Sequence, residues 1–283
     1  MAISTTSNLN SLYNDIFEDA LFVARESTLM VQLVRNFSAN NFYARKGGIY
    51  STATVQTLTE GEDLANAQSF NKTLKYTLTP YEKGAQFILT DVMIMNDPDD
   101  ARQAASFELG SAMAQKIDTD MVNLFSSFST DKGPGAGSTA TIADFAAAIS
   151  VLRNNKAPVQ NLQVVLHPYH WHDIWVELGQ PSANQAFLGD AANQALRDFW
   201  MGRFLAVNWY VSANISVDGS DDAVSGVFNS QALGFDSRIA PYLETERDAS
   251  LRATELNMVA GYAVGVLRDE FGVKYTADAT EPS

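Results

Sequence analysis

A stripe of large apolar residues between positions 98 and 128 constrains this chain more than any other feature of its sequence. Its members follow one another at steps of three or four residues: Leu109, Met113, Ile117, Met121, Leu124 and Phe128. This spacing places them on one face of an α-helix. Asp97 is suited to cap the helix and Pro98 to occupy its first position, so we predict a helix from Pro98 to Phe128. About 31 residues make a rod of roughly 46 Å, far longer than an average helix.

The composition excludes several classes of protein. Apolar residues make up 46% of the chain and charged residues 18%, a balance typical of a folded protein. Cysteine is absent, which excludes disulfides, thiolate nucleophiles and cysteine-bound metal. The net charge of −14 repels phosphate backbones and anionic lipid, so we expect no tight sequence-specific binding to DNA. No segment is long and apolar enough for a membrane span, and the first positive charge is Arg25. We therefore expect a chain that is neither membrane-inserted nor secreted.

The first 90 residues contain two patterns. Apolar residues recur at helical spacing from Tyr13 to Phe37, which predicts an amphipathic helix whose stripe is covered either by the chain's own core or by a neighbouring subunit. From Gly47 to Asp91 the pattern changes to alternating β-branched and aromatic residues, typical of strands. A polar connection between these strands carries an acidic tip of Glu60, Gly61, Glu62 and Asp63. With few bulky residues to bury, this segment reads as a long hairpin that projects from the core.

The middle of the chain alternates helix and strand. The glycine-rich run 129–140 predicts a flexible joint and a domain boundary. Thr141 and Asp144 form a capping pair that opens a helix, Leu162–Leu166 reads as a strand buried on both faces, and a helix follows over 168–179. A further helix over 184–201 and a strand over 204–212 complete this module.

The remainder reads as β-structure. A turn over 218–225 precedes strands at 226–235, 242–246, 251–259 and 262–274, the last two of which meet near Gly261. The module at 141–224 then reads as an insertion into a discontinuous domain, and the fold class is α+β.

All three histidines, His167, His170 and His172, lie in the run HPYHWHDIW. Zinc ligands on a helix normally repeat at i and i+4, whereas these are spaced by three and two residues and Pro168 separates the first from the helix. A structural role for the histidines, beside the packing of Trp171 and Trp175, is therefore the favoured interpretation, and metal binding is the alternative.

Other catalytic motifs are absent from the sequence. It has no GxSxG elbow, no phosphate-binding loop with its lysine and no run of basic residues. Paired acids such as Asp99 and Asp100 are explained by a helix start, and Asp221 and Asp222 by a turn. We therefore expect no catalytic residues, no cofactor and no metal.

The order of these parts resembles the major capsid protein of tailed bacteriophages, whose fold is named after phage Hong Kong 97. The run DPDDARQAASFELGSAMAQKIDTDMVNLF is similar to the family's spine helix, and LQVVLHPYHWHDIW to the strand-to-helix passage of its A-domain. The resemblance covers essentially the whole chain. It implies an N-terminal arm (1–46), an extended loop (47–90), a P-domain with the spine helix (91–140), an inserted A-domain (141–224) and a returning β segment of the P-domain (225–283).

The resemblance also implies a function. Family members assemble as hexamers and pentamers into an icosahedral shell around double-stranded DNA, without catalysis, and meet portal, scaffolding and decoration proteins. It implies assembly in the host cytoplasm and residence in the virion, with weak contact to DNA and none to membrane. The residues expected to serve assembly are Glu60, Gly61, Glu62, Asp63, Met113 and Ile117. One alternative is a bacterial nanocompartment shell of the same fold that encloses a cargo enzyme, and a remote one is a metal-dependent enzyme that uses the three histidines.

Overall fold

A computed structural model describes residues 28–55, 57–58, 60–61, 68–96, 101–179, 203–205 and 207–282. Most of the helix predicted over 13–37 and the whole helix predicted over 184–201 lie outside these residues. The first half of the chain contains α1 (Met30–Leu33), β1 (Arg35–Ser38), β2 (Arg45–Tyr50), β3 (Lys72–Leu78), β4 (Tyr81–Thr90), α2 (Asp91–Asn96), α3 (Ala101–Val122) and a 3₁₀ turn (Asn123–Ser127).

The second half begins with α4 (Ile142–Asn154), a 3₁₀ turn (Val159–Asn161), β5 (Leu162–Leu166) and α5 (Pro168–Gly179). It continues with β6 (Arg203–Phe204), β7 (Val207–Val211), β8 (Asp222–Asn229), β9 (Leu233–Asp248), β10 (Ala253–Val266), a 3₁₀ turn (Asp269–Phe271) and β11 (Gly272–Asp278). No helix in the described part of the chain is both long enough and apolar enough to cross a membrane.

The strands form three sheets. A four-stranded sheet has the order β1-β9-β10-β4, and a five-stranded sheet has the order β11-β8-β5-β7-β6. Strands β2 and β3 pair only with each other, as a two-stranded ribbon. The β1–β9 and β5–β7 pairs are parallel and the remaining pairs are antiparallel.

Helix α3 packs its apolar stripe against the four-stranded sheet. Leu109, Met113, Ile117 and Met121 are all buried, as the spacing predicts. The α-helix ends at Val122, earlier than predicted, and continues as a 3₁₀ turn to Ser127. Because a 3₁₀ turn has three residues per turn, the register of buried positions changes there, and Phe125 is buried instead of Leu124. The predicted start at Asp97 and Pro98 lies outside the described residues.

Local patterns in the middle of the chain are also confirmed. Thr141 caps α4 by accepting a hydrogen bond from the Asp144 amide, all five residues of β5 are buried, and α5 ends at Gly179. The run 129–140, however, is not a free joint. The Lys132 and Gly135 amides donate to carbonyls of β11, and a Cβ on Gly133 would lie 2.1 Å from the Thr276 oxygen. The glycine is therefore needed for close approach of two backbones.

Three predictions about strands are wrong. Residues 35–38, expected as the end of a helix, form β1 and pair with β9. Strand β8 already begins at Asp222, within the expected turn, and a turn at Ser230–Ala232 interrupts the expected strand 226–235. Strand β10 runs through Gly261 without ending. The glycine marks a β-bulge within the strand, and it is required there because a Cβ would lie 2.7 Å from the Phe42 ring.

The segment after residue 224 does not return as one unit. Strands β9 and β10 lie in the four-stranded sheet, whereas β8 and β11 lie in the five-stranded sheet with β5 and β7. The expected boundary between residues 224 and 225 falls inside β8. Strand pairing overrides the sequence boundary here because β11 completes the buried sheet of the middle module.

Candidate assembly interface

The ribbon of β2 and β3, which we call the hairpin, has two unlike faces. The pairing register places Arg45, Gly47 and Ile49 on one face, together with Tyr76 and Leu78. The opposite face, which we call the outward face, carries Lys46, Tyr50, Lys72 and Leu74, and Phe70 stacks on Tyr50 with ring centroids 5.0 Å apart. Tyr50, Phe70 and Leu74 are 53%, 75% and 58% exposed. Contiguous exposed apolar side chains of this kind mark an interaction surface.

Two glycines let the strands of the hairpin approach each other. A Cβ on Gly47 would overlap the Tyr76 ring, and one on Gly48 would lie 2.4 Å from the Thr73 carbonyl oxygen. The register shifts between these glycines, so Lys75 is the extra residue of a bulge.

A buried ion cluster joins the base of the hairpin to β9. Asp236 is fully buried, and its carboxylate accepts hydrogen bonds from Arg45 Nε at 2.8 Å and from Arg238 Nη2 at 2.5 Å. The hydrogen bond to Asp236 raises the pKa of Arg45. Leu78 packs beside this cluster with Ala263 and Leu267. The base of the hairpin is therefore fixed to its own subunit, while the outward face stays uncovered.

The residues expected to serve assembly fall in three places. Glu60 and Gly61 are exposed at the tip of the hairpin, where Gly61 adopts a positive φ of 85°. Glu62 and Asp63 lie outside the described residues. Met113 and Ile117 are only 4% and 7% exposed and belong to the subunit's own core, so they lie on no accessible surface. Any part they have in assembly is through the position of α3.

Sequence reasoning missed Asp118, a fully buried carboxylate on α3. Its Oδ1 accepts the Leu29 and Met30 amides at 2.9 and 2.7 Å, and its Oδ2 accepts the Asn214 side-chain amide at 2.9 Å. Asp118 thus joins the N-terminal segment, the long helix and the loop after β7. No local signal identifies it, because it follows Ile117 directly at the edge of the apolar stripe.

A second carboxylate on α3 meets the strands of the four-stranded sheet. Asp120 accepts hydrogen bonds from Lys116 at 2.7 Å and from the Tyr262 hydroxyl at 2.7 Å, and lies 3.1 Å from Lys83 Nζ. Burial raises the pKa of Asp120, but these three donors outweigh it and the pKa lies below its ordinary value. Burial and the bond to Asp120 raise the pKa of Tyr262.

The histidines form a structural group. His170 is fully buried, with Nδ1 2.8 Å from Ser225 Oγ and Nε2 3.2 Å from the Ala277 carbonyl oxygen. Because a carbonyl only accepts, Nε2 carries the proton and Nδ1 accepts from the Ser225 hydroxyl. Burial lowers the pKa of His170 to about 4 and also lowers that of His167. His172 is partly exposed, 3.8 Å from Asp173. Among the described residues, no group of three or more histidines and acids is arranged to hold a metal ion.

Comparison with known proteins shows the family of the chain. A family model described as phage capsid protein matches residues 73–275, which is more than two thirds of the chain. The chain belongs to the phage capsid protein family. Comparison of this capsid protein with curated protein sequences found no match.

Solved structures agree with the family assignment at the level of the fold. The chain is similar to a chain from Mycobacterium phage Che8, with a TM-score of 0.76, 18% identity and coverage of 91% of this chain and 94% of the other. It is similar to the capsid of the cyanophage P-SCSP1u, with a TM-score of 0.74, 15% identity and 94% coverage of both chains. For the capsid of Helicobacter pylori bacteriophage KHP30 the TM-score is 0.72, at 12% identity and 99% coverage of both.

The Hong Kong 97-type fold predicted from the order of elements is therefore confirmed. The capsid protein is a structural subunit of a phage head shell, and its place is the capsid of the virion. Its principal partner is a further copy of itself. The exposed hairpin is consequently read as a surface for contact between subunits.

Proposed function

We propose that this capsid protein assembles into hexamers and pentamers that close into an icosahedral shell around the double-stranded DNA of a tailed phage. The observation that carries the proposal is the uncovered outward face of the hairpin in a chain of this family. A two-stranded ribbon alone is marginally stable in water, and neighbouring subunits in a closed assembly supply the missing cover.

Each part of the chain has a role in this proposal. Of the extended loop expected over 47–90, residues 81–90 form β4 in the subunit's own sheet. The part up to residue 78 lies over a neighbouring subunit, with its acidic tip in contact with that neighbour alone. The A-domain, residues 141–224, surrounds the axis of each capsomer, and the spine helix holds the two regions at a fixed separation. The arm (1–46) and strands β9 and β10 of the returning segment (225–283) complete the sheet beside the spine helix, whereas β8 and β11 belong with the sheet of the A-domain.

The proposal also specifies partners. Assembly takes place in the host cytoplasm with portal and scaffolding proteins, and decoration proteins can bind the finished shell. The net charge of −14 permits only weak, non-specific contact with the packaged DNA. No catalytic residue, cofactor or membrane is required for any of these steps.

Particle mass tests the proposal directly. Light scattering and negative-stain microscopy of the same purified sample are expected to show closed shells, or rings of five and six subunits. A homogeneous monomer that persists after concentration and addition of a crowding agent would overturn the proposal. Shells that copurify with a cargo enzyme instead of DNA would favour the nanocompartment alternative.

A further inference from the structure

One face of the four-stranded sheet carries a concentration of acidic side chains. Leu256, Met258 and Ala260 of β10 are buried in the core. Because side chains alternate along a strand, the residues between them point to the opposite side. The register groups four glutamates on that side, which we call the acidic face: Glu82, Glu244, Glu246 and Glu255.

The glutamates of the acidic face lack basic partners among the residues that the structure describes. Lys83 of β4 contacts Asp120, and Arg247 of β9 forms a two-pronged ion pair with Asp91 at 2.7 Å. In the described part of the chain, no lysine or arginine forms an ion pair with the four glutamates. Glu246 and Glu255 are direct cross-strand partners, an arrangement of like charges that destabilises a sheet. A basic surface placed on this face would relieve that repulsion.

The hairpin supplies the opposite charge. Its two strands contain Arg45, Lys46, Lys72 and Lys75 and no acidic residue, in a chain of net charge −14, whereas the acids of the connection between the strands lie at its tip. Arg45 is bound to Asp236, whereas none of the three lysines forms an ion pair with any described residue. Lys46 and Lys72 lie at opposite ends of the outward face, with Leu74 between them. Lys72 is the cross-strand partner of Tyr50, and its Nζ lies 5.4 Å from the centroid of that ring.

We propose that the outward face of the hairpin docks on the acidic face of a second copy of this chain. The inference rests on the proposed function, and it names the chemistry of the contact: Lys46 and Lys72 against Glu244 and Glu246. Within one subunit both faces are exposed, so they do not cover each other. The apolar residues of the outward face favour a protein partner over a nucleic acid. On the acidic face, the exposed Tyr242 lies on the same side of β9 as Glu244 and is placed to contact these apolar residues.

Charge reversal on each side tests the contact. One variant carries Lys46→Glu with Lys72→Glu, and a second carries Glu244→Lys with Glu246→Lys. Each is expected to raise the protein concentration needed for assembly by about tenfold or more, since opposed like charges act against association. A chain with all four changes is expected to recover assembly. Mixing the two double variants is expected to give mixed oligomers, which shows that the contact joins separate chains.

A matched control keeps the inference separate from the proposed function. Lys132→Glu with Lys156→Glu makes the same change of charge at exposed positions outside both faces and is expected to assemble normally. Thermal melting verifies that every variant is folded.

If the unchanged protein forms no oligomer, the proposed function fails. If it assembles but both double variants match the control, or if the four-change chain is not rescued, this inference is wrong and the function stands. Loss of assembly from the hairpin variant alone also overturns the inference, because it assigns the lysines to another partner.

Discussion

At the scale of the residue, the buried polar groups hold this capsid protein in register, and they are the part least predictable from sequence. Asp118 is separated by 88 or more positions from each of its partners, and Arg45 by 191 from Asp236. No local pattern reports such distant pairs. The histidine run was visible in the sequence, but the atoms that satisfy His170 come from β8 and β11, more than 50 residues away.

His170 makes the stability of the subunit depend on pH. Its pKa falls from 6.5 to about 4 on folding, so the unfolded chain binds the extra proton between these values. Stability is then fully present above pH 6.5 and is lost as the pH falls towards 4, by about 3 kcal/mol at most. Urea unfolding of unassembled protein at pH 7 and pH 4.5 measures this loss.

The variant His170→Gln removes the group whose pKa falls to about 4 and is expected to reduce the pH dependence, while His167, whose pKa burial also lowers, keeps part of it. His172→Gln, at a partly exposed position of the same helix, serves as its control and is expected to keep the slope of the unchanged protein. Equal slopes in both variants would show that His170 does not carry the effect.

Met113 tests the packing of the long helix. Met113→Asp places an unpaired charge in the core and is expected to destabilise the subunit by about 4 kcal/mol or more. Met95→Asp, at an exposed position, is expected to change the free energy of unfolding by no more than about 0.5 kcal/mol. Denaturant unfolding compares the two, and similar values would contradict the assignment of Met113 to the core.

At the scale of the element, local patterns predicted what depends on local physics. The stripe of α3, the Thr141 cap and the wholly buried β5 are each set by residues within a few positions of one another. The predictions failed where distant chain segments decide. Residues 35–38 form a strand because β9 is available to pair with them, and Gly261 marks a bulge inside β10 where the sequence indicated a strand end.

The tip of the hairpin is expected to serve assembly and not folding. Deletion of residues 61–67 leaves β2, β3 and the Arg45–Asp236 cluster in place, so the melting temperature of the subunit is expected to stay within about 2 °C. Assembly is expected to weaken, because the proposed function assigns the tip to contacts with neighbouring subunits. Shells of normal yield and size, measured by sedimentation and microscopy, would exclude this role for the tip.

At the scale of the whole molecule, the order of parts predicted the fold class, but the division of strands between the sheets could not be predicted. Strand β1 pairs with β9, and β8 pairs with β11, although the two strands of each pair are far apart in the sequence. Hydrophobic periodicity reports which face of a strand is buried and carries no information about its partner. The N-terminal segment, helix α3 and the loop after β7 meet at Asp118. Substitution of this carboxylate therefore tests how much their contact contributes to the stability of the subunit.

Asp118→Ala leaves two backbone amides and the Asn214 side chain without their acceptor. The loss is expected to destabilise the subunit by about 3 kcal/mol, and to speed hydrogen exchange at Leu29 and Met30. Gln103→Ala, at an exposed position of the same helix, is expected to change the free energy of unfolding by about 0.5 kcal/mol or less. Unchanged exchange at the two amides would contradict the role assigned to Asp118.

The position of β11 has a consequence for synthesis on the ribosome. Strand β11 is made after every other strand of its sheet, and it covers the edge of β8 that β5 does not. A nascent chain therefore exposes that edge of β8 until residues 272–278 have left the ribosome. A product that terminates before Gly272 keeps the edge open, so the same pairing that finishes the sheet also separates complete from truncated subunits.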